Sequence, residues 1–138
     1  MNRYQRARAL LAFATISLVV AACAPAAGRG IVAYEAAPDE LIGEIAAFGV
    51  SLRPPGSAYN FYSITSIGDR FVTLQAETTA GFTFFVGGGR VSLTFSATVA
   101  DGVTRLASSA AGDRGAGNES IDEIIRHLDA KFRRVPIM

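Results

Sequence analysis

The 138-residue sequence holds one cysteine, one histidine, one lysine and no tryptophan. A single cysteine excludes an internal disulfide and any metal site built on paired thiolates. His127 has no second imidazole to share a zinc ion with, and a Ser-His-Asp arrangement would have to use this one residue. No Gly-x-Ser-x-Gly stretch offers a nucleophile on a sharp turn. Gly87-Gly88-Gly89-Arg90 lacks the Gly-Lys-Ser/Thr ending of a phosphate loop and precedes a strand pattern, so it reads as a hairpin reversal. The chain also lacks an excess of either charge. Its formal net charge is +1, and beyond the first eight residues ten basic groups face twelve acidic ones. That balance argues against broad nucleic-acid binding and against a polybasic membrane patch. Twelve of the thirteen basic residues are arginine, which reads as compositional bias rather than a recognition device.

A long apolar run is missing too. The longest, Ala9 to Ala22, has fourteen residues, short of the roughly 20 a helix needs to cross a bilayer. Arg3, Arg6 and Arg8 precede it with no acid among them. A basic start and a short apolar run form the pattern of a secretory signal. At its end, Val20-Ala21-Ala22-Cys23 resembles the bacterial lipobox. The resemblance implies cleavage after Ala22, a diacylglyceryl group on Cys23, and Cys23 as the new N-terminus. It also accounts for a lone thiol in an exported chain. Ala24, rather than aspartate, follows the cysteine. In a bacterium with two membranes this resembles release to the outer membrane, facing the periplasm. With one membrane, the chain would sit on that membrane's outer face.

The expected organisation is a signal peptide over residues 1–22, a lipidated cysteine and flexible tether over 23–30, and a single domain over 31–138. The tether Ala24-Pro25-Ala26-Ala27-Gly28-Arg29-Gly30 spans at most about 25 Å. It would hold the domain at the membrane surface.

Within the domain, Ile31 to Tyr34 reads as a first strand. Pro38, Asp39 and Glu40 suit the first turn of a helix, where a missing donor costs nothing and acids meet the positive dipole end. Leu41, Ile42, Ile45 and Phe48 continue at helical spacing, and Gly49 ends it. After Arg53-Pro54-Pro55-Gly56-Ser57 the period changes to two. Strands are predicted over Tyr59 to Ile67, Phe71 to Thr78, Phe82 to Val86, Val91 to Val99 and Val103 to Ser109, with Asp101-Gly102 as a two-residue hairpin turn. Along Val91, Leu93, Phe95, Ala97 and Val99 apolar residues alternate with Ser92, Thr94, Ser96 and Thr98, giving an apolar face and a hydroxyl face. Gly112 to Asn118 reads as a loop. Ser120 and Glu123 read as a capping box opening a last helix, whose stripe is Ile121, Ile124, Ile125, Leu128 and Phe132. Asp122/Arg126 and Asp129/Arg133 are predicted i,i+4 pairs, and His127 a surface residue. Two helical stripes must bury against one apolar sheet face. The expected fold is therefore an α+β two-layer sandwich: an antiparallel sheet of about five strands with an N-terminal and a C-terminal helix on one face.

The acids decorate helix starts and single out no catalytic pair. Tyr59, Phe61, Tyr62 and Phe85 are the candidate partner or ligand surface, because alternation sends some of these aromatics away from the core. The functional expectation is a membrane-anchored, non-catalytic envelope lipoprotein acting as a binding or accessory module, with no cofactor and no nucleic acid. Its partners would be the membrane, through the lipid on Cys23, and another envelope protein; the oligomeric state is open. The alternative is a carrier of a lipid or small apolar ligand between the sheet and the last helix.

Overall fold

The computed structural model describes residues 29–56, 58–81 and 88–137. In chain order these form β1 (Arg29–Tyr34), α1 (Pro38–Gly49), β2 (Ser63–Gly68), β3 (Phe71–Glu77), β4 (Arg90–Ala100), β5 (Val103–Gly112), α2 (Arg114–Lys131) and β6 (Arg134–Val135). The strands make one antiparallel sheet in the order β2-β3-β4-β5-β1-β6. Both helices pack on one face of it, so the fold is α+β in two layers, with six strands rather than about five. The sixth, β6, is two residues long and pairs with Ala33 and Tyr34. A strand that short carries no period to read.

The core follows the alternation of the central strands. Val72, Leu74 and Ala76 on β3, Val91, Leu93, Phe95 and Ala97 on β4, and Leu106 on β5 are all buried. They meet Leu41, Ile42 and Ile45 of α1 and Ile121, Ile124 and Leu128 of α2. Burying side chains of this size stabilises the fold by roughly 1.5–3 kcal/mol each before the entropy of ordering is subtracted. α1 starts at Pro38, and the Ala37 amide donates to the Glu40 carboxylate at 3.3 Å, closing its N-terminus. The β4–β5 hairpin turns on Asp101 and Gly102 at φ 53° and 76°, the signs a type I′ turn requires.

Two boundaries differ from expectation for identifiable reasons. α2 begins at Arg114, not at Ser120. The carboxylate of Asp113 caps it, accepting from the Ala116 amide at 3.1 Å. The stretch expected as a loop is thus the first turns of the helix. Its glycine content serves close packing: a Cβ at Gly117 would lie 2.7 Å from the Ala110 Cβ and 3.2 Å from a Val91 methyl. Ser120 lies inside the helix, buried, and its hydroxyl donates to the Ala116 carbonyl at 3.1 Å. β2 begins at Ser63 instead of Tyr59. Before it, the Tyr62 amide donates to the Leu52 carbonyl, and Tyr59 makes only an isolated bridge with Thr78. The expected strand Phe82 to Val86 and the whole segment up to Gly28 lie outside the described residues. Among the described residues no helix is long and apolar enough to cross a membrane.

Candidate functional site

Of the aromatic set singled out above, the three described members differ in exposure and in partners. Tyr62 is buried at 2% exposure, and its hydroxyl donates to the Ser120 hydroxyl at 2.9 Å. Tyr59 is half-buried, and its hydroxyl donates to the Asp113 carboxylate at 3.0 Å. Phe61 points outward, with the Arg53 guanidinium 4.5 Å above its ring. Phe85 and Cys23 lie outside the described residues. Burial, first, and the nearby charges of Asp113 and Tyr59 push the Tyr62 phenol up to about 12, while the hydrogen bond to Ser120 acts the other way. This ring is an anchor of the core with one polar tip, not part of a binding face.

Two polar clusters, neither legible as a unit in the sequence, tie α2 to its neighbours. In the seam between the helices, the His127 ring stacks on Phe48 with centroids 3.8 Å apart and planes 1° from parallel. His127 Nε2 lies 2.6 Å from Glu44 Oε1, and Lys131 Nζ lies 2.9 Å from the same oxygen. The hydrogen bonds from His127 and Lys131 hold the Glu44 carboxyl below its ordinary value. His127 is therefore a half-buried interhelical contact rather than a surface residue. Glu44 and Phe48 are four apart on α1, and His127 and Lys131 are four apart on α2. That matched spacing was the available signal.

At the far end of α2, the Tyr34 hydroxyl donates to Asp129 Oδ1 at 2.9 Å, and Arg134 reaches both Asp129 oxygens at 2.8 Å. Burial, then the bond to Asp129, pushes the Tyr34 phenol up to about 12. Asp129 thus pairs with Arg134 instead of Arg133, because the chain turns into β6 and carries Arg133 to Glu35. The Asp122/Arg126 spacing yields a contact from Arg126 Nε to the Asp122 carbonyl at 3.4 Å.

The surfaces suited to binding lie elsewhere. The outer face of the sheet has no element packed on it among the described residues. It presents Thr73, Ser92, Thr94, Ser96, Thr98 and Ser109, all exposed or half-buried. Thr73 and Thr94 hydroxyls sit 3.5 Å apart across β3 and β4. Phe71 is the aromatic on this face among the described residues, at its edge and 43% exposed. Two clefts of the described surface are lined mainly by charged residues. One is lined by Arg53, Pro55, Glu119, Asp122, Glu123 and Arg126, and another by Pro38, Asp39, Asp69 and Arg70. Among the described residues no group of three or more His, Cys, Asp or Glu is placed to hold a metal ion. Compared with protein-family models, with curated proteins and with solved structures, the chain gives no match.

Proposed function

We propose that the protein is a lipid-anchored lipoprotein of the bacterial envelope, fixed through Cys23, whose α+β domain is a non-catalytic binding module working close to the membrane. The lipobox Val20-Ala21-Ala22-Cys23 supports the anchor. The observation that carries the binding role is the hydroxyl face of β3, β4 and β5, on which no described element packs. Six Ser and Thr side chains stand there on a rigid strand framework, able to donate to and accept from a partner's polar groups. The tether supports a partner near the bilayer. Only Ala24 to Gly28 separate Cys23 from β1, a reach of about 17 Å when fully extended. The carrier alternative gains no support from the interior. The space between sheet and helices is filled by Tyr34, Leu41, Leu74, Phe95, Ile124 and Leu128, each fully buried.

The test is site-directed photo-crosslinking in intact cells. A photoreactive residue at Thr94, in the middle of the outer face, should give one reproducible adduct in the membrane fraction. The same residue at Ala130, exposed on α2, should not. Absence of any adduct at Thr94, or equal adducts at both positions, removes the binding-module reading.

A further inference from the structure

The two edges of the sheet are guarded differently. β6 is two residues long, contains Arg134, follows Arg133 and precedes Pro136. Shortness, positive charge and proline all discourage strand addition. β2, at the opposite edge, is Ser63-Ile64-Thr65-Ser66-Ile67-Gly68, without a charge or a proline. Its first five residues are exposed, Ile64 to 41% and Ile67 to 51%. A register shift between Ile64 and Ser66 sets Ile64 opposite Leu74 and Ile67 opposite Val72. Leu74 and Val72 face the helices, so both isoleucines lie on the helix-bearing side, where they are only partly covered. Among the described residues the bulge is the one protective device on this edge, and it places two β-branched apolar residues on the same side.

The strand is also complementary to itself. Read in either direction it runs small, isoleucine, hydroxyl, hydroxyl, isoleucine, small. We propose that β2 pairs antiparallel with β2 of a second copy of this chain, about a two-fold axis between Thr65 and Ser66. The two six-stranded sheets then become one continuous sheet. In this register Ser63 faces Gly68 of the second copy, Ile64 faces Ile67, and Thr65 faces Ser66, each pairing occurring twice. The four isoleucines form one apolar strip on the helix side, which removes the exposed edge and its apolar surface from water together.

The inference concerns the domain's edge and does not rest on the lipid anchor.

Sedimentation equilibrium of the full chain in density-matched detergent tests it, with Ile64→Glu, Ile67→Lys and the double variant beside the native chain. Both positions are half-exposed on an edge, so circular dichroism should show all variants folded. The native chain should sediment as a dimer. Each single substitution buries an unpaired charge at the axis and should weaken dimerisation by about 100-fold. The double variant sets opposite charges face to face across the axis, twice, and should recover at least about tenfold. A native chain that stays monomeric up to about 100 µM overturns the proposal. So do single variants that pair as well as the native chain, or a double variant no better than either single.

Discussion

Three glycines give the account of the backbone a graded test. Gly112 ends β5 opposite Val91 with φ of +80°. A Cβ there would lie 2.0 Å from the Arg90 carbonyl oxygen and 3.0 Å from its carbon. Gly112→Ala therefore faces two costs. Left-handed backbone costs an L-residue about 1–2 kcal/mol. The overlap is with backbone, which has no rotamer to escape into, so the start of β4 must move, at about 1–3 kcal/mol more. The sum, about 2–5 kcal/mol, is a large share of the roughly 5–15 kcal/mol that holds a domain folded. Gly102, in the β4–β5 turn, has φ of +76° but nothing within 4 Å of its Cβ position. Gly102→Ala should show the conformational cost alone, about 1–2 kcal/mol. Gly43 lies inside α1 with ordinary helical backbone and open space around it. Gly43→Ala should stabilise by about 0.5–1 kcal/mol. Urea unfolding of the four chains, followed by far-UV circular dichroism at constant m-value, should rank Gly43→Ala above native, then Gly102→Ala, then Gly112→Ala. A Gly112→Ala chain as stable as Gly102→Ala would refute the close approach of β5 to Arg90.

Other consequences are equally direct. Tyrosinate absorbance on raising pH should show Tyr34 and Tyr62 resisting ionisation until about pH 12. Their neutral phenols are favoured in the folded state, so that stability is fully present below the ordinary value of 10 and is lost as pH rises from there towards 12; folded protein whose tyrosines all titrate together near 10 would contradict the burial described. On the acid side the sign reverses. Glu44 is held below its ordinary 4.5, so its contribution is present above 4.5 and disappears as pH falls through the depressed folded value. Glu44→Gln should flatten this limb of a stability-against-pH curve, and an unchanged limb would separate the helix seam from acid unfolding. Phe95→Ala, at the centre of β4 with no exposure, should cost about 3–5 kcal/mol in the urea midpoint. A loss below about 1 kcal/mol would mean that the core is less tightly filled than these contacts indicate.

Much of the fold was legible because it depends on local period. The alternation from Val91 to Val99 named the buried face of β4, and Asp101-Gly102 named the turn after it. The stripes of both helices then required one shared apolar face. What was not legible depends on contacts distant in sequence. Ser120 looks like a cap because of Glu123, yet Asp113 wins that role, since helix α2 can continue back through Gly117, where the sheet surface is close. Tyr62 looks like a strand residue, but 58 positions later Ser120 supplies a buried partner for its hydroxyl. His127 meets Glu44 across 83 positions, and single-chain spacing could only show that each belonged to a matched flank. The aromatic surface expected at Tyr59, Phe61 and Tyr62 failed to gather for the same reason. Two of the three rings spend their hydroxyls on partners far along the chain, Tyr59 on Asp113 and Tyr62 on Ser120, while the exposed apolar residues of the described surface are spread from Ile31 and Val50 to Ile64, Ile67 and Val99.

The central claim is that Cys23 ties this domain to a membrane, and an intact-mass measurement on chain extracted from the membrane fraction tests it most directly. The account predicts a chain lacking residues 1–22, with a diacylglyceryl group on the sulfur of Cys23, and a Cys23→Ser chain that retains those residues and leaves the detergent phase. A native chain with an unmodified thiol at Cys23, or a Cys23→Ser chain that is processed and partitions as before, would contradict it.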